Sequence, residues 1–266
     1  MKDRNIPPKG RSWLFRVTWP VTQYLITNLS VSIGWFFFKV LNHTKVIGKK
    51  NVPKRANVLL LSNHQSMIDS FLVGMFAFYP KSVIKPHVMP WNPAAEENFY
   101  RSPILAWLAD NWKCIPIKKG RKDVGAIFKM AEALKVSPMT FFPEGTRSRD
   151  GKIGKARGGA GLLILETNPT VIPVCIDGMD KLLPIGKVLP RIFKKIYVYY
   201  GEPLDLSGYE DQEKTKQTAE MIMNRVMDRI RAMRTEIAQM KAEGRLCEAK
   251  TALPHKKSTA SSSITS

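Results

Sequence analysis

The chain contains 266 residues, a length that suits one large domain or two small ones. Its 42 Lys and Arg residues against 22 Asp and Glu residues give a formal net charge of +20 at pH 7. Because 44% of the residues are hydrophobic, the chain can bury a sizeable core, which excludes a fully disordered polycation. The three cysteines have no paired spacing, so neither a disulfide framework nor a CxxC zinc site is predicted. The excess positive charge leaves three kinds of partner open: nucleic acid, an anionic membrane surface and anionic small substrates.

The first predicted element is an apolar segment near the N-terminus. No charged side chain occurs between Val17 and Phe38, a stretch long enough for a membrane-spanning helix of about 20 residues. The stretch also contains several polar side chains, one proline and many aromatic rings, a mixture that favours the membrane interface. We therefore predict that residues 1–44 form a membrane-associated helical segment lying in or dipping into one leaflet. A full span and a buried soluble helix are the alternatives.

The middle of the chain alternates between short β-prone runs and helical patterns. The predicted strands are Val58–Leu61, Ser82–Ile84, Cys114–Ile117, Met139–Phe142, Val171–Ile176 and Ile192–Tyr200. The predicted helices are Ser70–Tyr79, Ile104–Trp112, Val124–Val136 and Ala160–Glu166. This alternation predicts an α/β fold with a central, mostly parallel sheet flanked by helices.

The last predicted element is a long amphipathic helix, indicated by apolar residues at spacings of three and four between Asp211 and Gly244. It completes a predicted domain at residues 45–246. Residues 247–266 are polar and repetitive, so we predict a disordered tail there. A glycine-rich stretch at 151–161 matches neither GxxxxGK[ST] nor GxGxxG, so it does not predict a nucleotide site.

A polar loop follows the first of the buried strands, in the sequence LLLSNHQSMID at 59–69. His64 and Asp69 are five residues apart, so in a regular helix they would lie on different faces and could meet only across a tight turn. Ser66 is a candidate cap for the helix that follows. If the two side chains meet, the carboxylate fixes the imidazole tautomer and leaves the other nitrogen free to accept a proton. A lone histidine is more often structural, so this motif alone leaves both roles open.

A second polar loop follows another apolar strand, in the sequence MTFFPEGTRSR at 139–149. Arg147 offers a planar fork suited to phosphate, Thr146 offers a hydroxyl, and Gly145 allows close approach of the backbone to a ligand. The alternative is a charged turn with a proline-stiffened entry. Because open α/β sheets hold ligands at the carboxyl ends of their strands, the two loops are expected to face one cleft.

Together the two motifs resemble the glycerophospholipid acyltransferase family, which includes 1-acylglycerol-3-phosphate acyltransferase. The resemblance rests on His-x4-Asp in NHQSMID and on the later FPEGTR, and it extends over about residues 45 to 205. Two further stretches are similar to the family's second and fourth blocks, KCIPIKKG at 113–120 and VIPVCI at 171–176. The second block of the family usually ends in Arg, whereas this chain has Lys118 and Lys119 there, so the residue that binds phosphate is left open.

Within that family, WNPAAEENF at 91–99, KCIPIKKG and GMDKLLP at 178–184 look closest to the tafazzin transacylases. The tafazzins depart from FPEGTR at its Arg position, whereas this chain keeps Arg147 there. The resemblance therefore leaves two acyl donors open, a thioester and a phospholipid.

The resemblance implies that His64 is the general base that deprotonates the hydroxyl of a lysophospholipid and that Asp69 orients it. It implies acyl-CoA or acyl-ACP as cosubstrate, no bound cofactor and no metal. The implied binding set for the acceptor phosphate consists of Lys119, Arg121, Glu144, Gly145, Thr146 and Arg147. The oxyanion donors are not identified, and backbone amides near His64 or Gly145 are the candidates.

The predicted function is therefore a membrane-associated O-acyltransferase that converts 1-acylglycerol-3-phosphate to phosphatidate, with residues 45–246 as the acyltransferase domain. The predicted partners are a lysophospholipid, an acyl thioester and an anionic membrane surface, with acyl carrier protein as a further candidate. The predicted location is the cytoplasmic face of the inner or cell membrane. A nucleic-acid partner is not predicted, because no zinc finger, helix-turn-helix or aromatic RNA-binding motif occurs. The alternatives are a tafazzin-like transacylase and a non-enzymatic basic protein that binds membranes or nucleic acid.

Overall fold

The computed structural model describes residues 11–118, 124–209 and 212–245. The strands are β1 (Lys45–Ile47), β2 (Val58–Ser62), β3 (Asn92–Ala95), β4 (Cys114–Ile117), β5 (Met139–Phe141), β6 (Thr170–Asp177) and β7 (Tyr197–Tyr200). The helices are α1 (Trp13–Phe36), α2 (Asp69–Phe78), α3 (Lys81–Ile84), α4 (Glu96–Phe99), α5 (Pro103–Asn111), α6 (Val124–Val136), α7 (Gly159–Thr167), α8 (Met179–Leu182) and α9 (Lys216–Ala242). Single turns of other helix types lie at Phe37–Leu41, Lys49–Asn51, Pro86–Val88 and Ser207–Tyr209.

Five strands form the central sheet, in the order β1-β7-β6-β2-β5. All neighbouring strands are parallel except β6 and β7, which are antiparallel. β3 and β4 form a separate parallel pair, joined to the central sheet by an isolated bridge between Trp91 and Met139. The prediction of a central, mostly parallel sheet flanked by helices is confirmed.

Strand β2, which lies between β6 and β5, is buried along its whole length, because helices cover both faces of the sheet. Leu59 and Leu61 pack into the core formed with α6, α7 and α9. Val58 and Leu60 point the other way, into the core formed with α2 and α8. Side chains alternate between the faces of a strand, so a strand between two helical layers must be apolar at every position. This explains the continuous run VLLL.

Two strand predictions are wrong in type or extent. Residues 82–84 form part of the short helix α3, because a run of three β-prone residues after Pro80 carries too little pattern to separate a strand from one helical turn. The last predicted strand begins only at Tyr197, and the five residues before it belong to a loop in which Ile192 and Phe193 are exposed. Strands β1 and β3 were not predicted, since each is short and neither shows a buried alternating pattern.

The N-terminal helix α1 has two unlike faces. Its buried face is mostly polar or small and consists of Trp19, Gln23, Thr27, Val31 and Gly34. Its exposed face carries large apolar side chains, among them Val17, Val21, Leu25, Leu29 and Ile33. Thr27 donates a hydrogen bond of 2.7 Å to the carbonyl of Asn111, and the indole of Trp19 donates one of 3.1 Å to the carbonyl of Asp110. The polar side chains of Gln23 and Thr27 therefore face the protein and not the surroundings.

The apolar helix continues from Trp13 to Leu41, and by length and composition it could cross a membrane. At Gly34 it lies so close to α2 that an added Cβ would be 2.3 Å from the ring of Phe71. The C-terminal helix α9 falls inside the predicted range and covers the face of the sheet opposite α2. The predicted tail at 247–266 lies outside the described residues, as do residues 1–10 of the predicted N-terminal segment.

Candidate active site

Two loops emerge side by side at one edge of the central sheet, which we call the carboxyl edge. Residues 63–68 follow β2, and residues 142–149 follow β5. The two strands are parallel neighbours, with Leu61 opposite Phe141, so both loops open in the same direction. This arrangement matches the general position of ligand sites in open α/β sheets.

His64 and Asp69 meet across the first loop. Nδ1 of His64 lies 2.9 Å from Oδ2 of Asp69, which also accepts hydrogen bonds from the amides of Gln65 at 2.6 Å and Ser66 at 2.7 Å. Asp69 is the first residue of α2, where the positive end of the helix dipole favours a carboxylate. The tight turn that the spacing required is therefore present, closed by the side chain of Asp69.

The prediction that Ser66 caps α2 is wrong. The residue at the cap position is Ile68, which makes no side-chain cap. In the described part of the chain, the buried hydroxyl of Ser66 has no hydrogen-bond partner. The carboxylate of Asp69 accepts hydrogen bonds from the amides of Gln65 and Ser66 in the preceding loop. These backbone donors are therefore satisfied by a residue of the helix itself and not by a cap residue that precedes it.

The environment of the pair sets its proton chemistry. Asp69 is fully buried, and burial raises its pKa, while the hydrogen bonds from His64, Ser66 and Gln65 oppose that rise. Because a carboxylate oxygen only accepts, the contact places the imidazole proton on Nδ1 and a lone pair on Nε2 of His64. The ring of His64 stacks on Phe142, with centroids 4.3 Å apart, and its side chain is 19% exposed. The imidazole is thus held by a carboxylate at one nitrogen and by an aromatic face, with access from solvent.

Two amide side chains next to His64 anchor the loop to β6 and α8. Asn63 donates to the carbonyl of Ile176 at 3.0 Å and accepts from the amide of the same residue at 2.8 Å. Gln65 accepts a hydrogen bond of 3.1 Å from the amide of Met179. The sequence shows an amide side chain on each side of the histidine, which is the signal for such contacts. It does not show their partners, which lie more than 110 residues away along the chain.

Glu144 joins the second loop to the first. One carboxylate oxygen accepts the backbone N–H of His64 at 2.9 Å, and the other accepts the N–H of Gly154 at 2.8 Å. The amide of Ser148 donates to the carbonyl of His64 at 2.9 Å, so both backbone polar groups of His64 are held by the second loop. A Cβ at position 154 would lie 2.9 Å from the Glu144 carboxylate, which explains one glycine of the glycine-rich stretch. Glu144 is 6% exposed, so its carboxylate is engaged within the protein.

Of the remaining predicted residues of the FPEGTR motif, Thr146 and Arg147 have side chains without a hydrogen-bond partner among the described residues. Gly145 has a φ of 65°, in the left-handed region that favours glycine, and Thr146 is exposed. Arg147 is half-buried, and within the described ranges its guanidinium makes no hydrogen bond or ion pair. Lys119 and Arg121 lie outside the described residues, while Lys118 is exposed just after β4.

Four of the backbone amides near His64 and Gly145, where the oxyanion donors are predicted, are committed to other contacts. The amide of His64 donates to Glu144, and the amide of Gly145 donates to the carbonyl of Phe142 at 3.0 Å. Those of Gln65 and Ser66 donate to Asp69. These four amides are therefore not available to a developing oxyanion, and the other backbone amides near His64 and Gly145 stay the predicted donors.

Neither described cysteine is suited to act as a nucleophile. Cys114 and Cys175 are buried, and burial raises the pKa of each thiol to about 12, far from the thiolate form at neutral pH. Over the residues that the structure describes, no group of three or more His, Cys, Asp or Glu side chains could hold a metal ion. The chemistry available at the carboxyl edge is that of a carboxylate-supported imidazole beside a basic loop.

Comparison with known proteins identifies the class. A family model described as Acyltransferase matches residues 43–177, just over half of the chain, so the chain belongs to the acyltransferase family. The matched region contains both loops of the carboxyl edge.

Among curated relatives, a chloroplastic 1-acyl-sn-glycerol-3-phosphate acyltransferase of Brassica napus is 25% identical over 75% of this chain and 56% of its own length. An N-acylphosphatidylethanolamine synthase of Arabidopsis thaliana is 30% identical over 58% of this chain and 57% of its own length. The chain thus spans just over half the length of these relatives. The names of these relatives support phospholipid biosynthesis as the metabolic setting.

A solved structure supports the same fold. The 1-acyl-sn-glycerophosphate acyltransferase PlsC of Thermotoga maritima matches with a TM-score of 0.53 and 24% identity, covering 79% of this chain and 78% of that one. The predicted resemblance to a glycerophospholipid acyltransferase is confirmed at the level of family and fold. The closer resemblance to the tafazzins stays a prediction.

Proposed function

We propose that this protein is a membrane-associated O-acyltransferase that transfers a fatty acyl group from an acyl thioester to the free hydroxyl of a lysophospholipid. The proposed acceptor is 1-acylglycerol-3-phosphate and the product is phosphatidate. The observation that carries the proposal is the contact of 2.9 Å between His64 and the fully buried Asp69 at the carboxyl edge. Membership of the acyltransferase family supports the reaction class.

In this proposal Nε2 of His64 accepts the proton of the acceptor hydroxyl as its oxygen attacks the thioester carbonyl. Asp69 holds the imidazole in the tautomer that has its proton on Nδ1, and it stabilises the imidazolium that forms. The tetrahedral intermediate collapses by breaking the bond between carbon and sulfur, and the departing thiolate takes the proton from His64. The products are an ester and a free thiol, so His64 returns to its starting state.

The basic residues of the cleft are proposed to bind the acceptor phosphate. Arg147 has an unengaged guanidinium on the loop that contacts His64, and a guanidinium binds a phosphate through two parallel hydrogen bonds. Lys119 and Arg121 are proposed to contribute charge, with Gly145 and Thr146 allowing close approach and supplying a hydroxyl. Glu144 is proposed to position the His64 loop, because a carboxylate repels phosphate and both its oxygens accept backbone N–H groups.

The N-terminal residues 1–44 are proposed to hold the enzyme on the membrane. The outward face of α1 carries mostly large apolar side chains, while Gln23 and Thr27 pack on the protein, an arrangement that suits contact with lipid. Lipid substrates stay in the bilayer, so a cleft at the end of this helix would meet them there. An anionic leaflet would attract a chain of net charge +20. The side of the membrane is proposed to be the cytoplasmic one.

The test is a thioester-dependence assay with the full chain. Incubation with lysophosphatidate and acyl-CoA or acyl-ACP is expected to release thiol and phosphatidate in equal amounts. A panel of lysophospholipids differing in headgroup measures the preference for a bare phosphate. Absence of thiol release with every acyl thioester and every acceptor would refute the thioester mechanism.

A tafazzin-like transacylase is the second candidate. It is favoured by the stretch GMDKLLP at 178–184, because its Met179 amide contacts Gln65 beside His64. Acyl transfer between a phospholipid and a lysophospholipid without any thioester would decide for this candidate. His64 would act as the general base in both reactions, so loss of activity in a His64 variant does not distinguish them. Dependence of the reaction on a thioester does.

A further inference from the structure

The loop between α8 and β7, residues 183–196, exposes large apolar side chains. Val188 is 85% exposed, Leu189 83% and Phe193 70%, and Ile192 between them is 46% exposed. Single exposed apolar residues are common on soluble proteins, but a contiguous group of this kind marks a contact surface. We call residues 183–196 the apolar–basic loop.

The charged side chains of the loop are all positive. Lys187 and Arg191 alternate with its apolar side chains, and Lys194 and Lys195 follow them. No Asp or Glu occurs from Lys181 to Gly201, and in the described part of the chain none of these four cations forms an ion pair. Apolar side chains flanked by Lys and Arg are typical of segments that insert between anionic headgroups.

The position of the loop connects α1 to the candidate active site. At one end, the amide of Phe193 donates to the carbonyl of Leu41 at 3.1 Å, and the amide of Lys194 donates to the side chain of Asn42 at 2.9 Å. At the other end the loop follows α8, whose Met179 contacts the loop of His64 through Gln65. The apolar–basic loop therefore lies beside the C-terminal end of the apolar helix and leads into β7, whose Tyr197 pairs with Asp177 at the carboxyl end of β6.

We infer that the apolar–basic loop is a second membrane contact, which inserts Val188, Leu189 and Phe193 into the interface of an anionic leaflet beside the cleft. The inference deepens the proposed membrane association and rests on it. It does not depend on the identity of the acyl donor.

The charge of the loop selects this partner over a second copy of the chain. Two copies meeting through this surface would bring like charges together, since the loop carries four cations and no anion. An anionic leaflet places opposite charge next to Lys187 and Arg191 and an apolar phase next to Val188 and Leu189. With α1 at one side and the loop at the other, the cleft would face the headgroup layer.

The first experiment measures binding of the full chain to vesicles of phosphatidylcholine alone and of phosphatidylcholine mixed with phosphatidylglycerol. The double variant Val188→Ser/Leu189→Ser is expected to bind the anionic vesicles about tenfold more weakly, because two apolar side chains lose their burial. Lys187→Ala/Arg191→Ala is expected to lose most of the preference for anionic over neutral vesicles. Met221→Ser, an exposed apolar residue at the start of α9, is the matched control and is expected to bind like wild type.

The second experiment attaches a thiol-reactive, environment-sensitive dye to the apolar–basic loop. The dye is carried by the substitution Val188→Cys in a Cys247→Ser background, and by Gln217→Cys in the same background as the control. Gln217 is exposed near the start of α9, where Lys214 lies 3.4 Å from Glu166 of α7, away from the carboxyl edge. A blue shift on anionic vesicles is expected for the dye at position 188 and not for the dye at position 217.

The outcomes separate the inference from the proposal on which it rests. If wild type binds neither kind of vesicle, the proposed membrane association fails. If wild type binds, but the serine double variant binds equally well and the dye at position 188 shows no shift, the inference alone is overturned. A shift that appears without vesicles and grows with protein concentration would also overturn it, because it would indicate contact with a second copy. Thiol release from detergent-dispersed acceptor is expected to be unchanged in the double variant, which shows that the protein is folded.

Discussion

The two loops of the carboxyl edge are neighbours in space but differ in how their polar groups are used. In the loop after β2, the carboxylate of Asp69 binds two amides and the imidazole of His64, while Asn63 and Gln65 bind β6 and α8. In the loop after β5, Glu144 is engaged, but Arg147 has no partner in the described residues and Thr146 is exposed.

This difference is consistent with a chemical role for the loop after β2 and a role in substrate recognition for the loop after β5. A general base works best when its geometry is set before the substrate arrives, whereas a phosphate-binding group gains its hydrogen bonds only from the ligand. Glu144 connects the two functions, because it belongs to the second loop and holds the backbone of the first. The variants below are expected to separate these roles.

The largest effect is expected for His64→Ala. Loss of the general base should lower kcat by about a thousandfold, within the usual range for acid–base catalysis, with little change in thermal stability. His43→Ala is the matched control, since His43 is exposed and lies outside both loops. Retention of more than a tenth of the activity would remove His64 from the proposed role.

Asp69→Asn is expected to lower kcat by about a hundredfold or more, because an amide can hold the imidazole in the wrong tautomer. The acceptor KM should change little, since Asp69 is buried behind His64 and does not face the ligand. Asp110→Asn, a second buried carboxylate that pairs with Arg11, is the control for the general cost of altering a buried charge. Equal losses of activity in both variants would contradict a specific role for Asp69.

Arg147→Ala is expected to act on recognition. Loss of a charge-assisted contact with phosphate should lower kcat/KM by about ten- to a hundredfold, mainly through KM. Arg147→Lys should recover part of the loss, because it keeps the charge without the planar fork. Arg149→Ala, an exposed cation on the same loop, serves as the control. A fall in kcat at constant KM would assign Arg147 to the chemical step instead.

Glu144→Gln is expected to have a smaller effect on the chemical step. The amide keeps one acceptor oxygen but cannot accept from both His64 and Gly154, so kcat should fall by about tenfold and the unfolding free energy by about 1–2 kcal/mol. KM for the acceptor is expected to stay the same, which distinguishes positioning from phosphate binding. A rise in KM equal to that of Arg147→Ala would place Glu144 in the binding set.

Lys113 lies outside both loops, and the substitution Lys113→Met is expected to change the pH dependence of stability but not the activity. It is fully buried, with Nζ donating to the carbonyl of Met89 at 2.9 Å, and burial lowers its pKa from 10.5 to about 7. Between pH 7 and 10.5 Lys113 therefore binds more protons in the unfolded chain than in the folded one, so its contribution to the free energy of unfolding rises with pH through this window, by at most about 1.4 kcal/mol per unit.

Denaturant titrations at several pH values measure this effect. Lys113→Met should remove the part of the pH dependence that belongs to Lys113, whereas Lys118→Met, at an exposed position, should retain it. Identical pH profiles for wild type and Lys113→Met would show that the buried amine does not titrate in this window.

Much of the fold was predictable because the parallel strands of the sheet are buried on both faces. The runs VLLL of β2 and VIPVCI of β6 are continuously apolar, and the run of β5 is interrupted only by the buried Thr140. Each run is followed by polar or glycine residues that mark the end of the strand. The same logic predicted that the loops of His64 and Arg147 open at one edge. The prediction of secondary structure failed for short runs such as 82–84, because a single helical turn and a short strand have the same local pattern of residues.

The sequence by itself determined the α/β class, the residues of the two motifs and the excess of positive charge. Tertiary structure decided how these residues are used: Glu144 holds His64 across 80 residues, and Asn63 reaches Ile176 across 113. It also decided that Gln23 and Thr27 of α1 face inward and that the apolar–basic loop lies beside the end of the apolar helix. Residue spacing specifies local geometry, whereas contacts between distant segments depend on strand order and packing, which no local pattern contains.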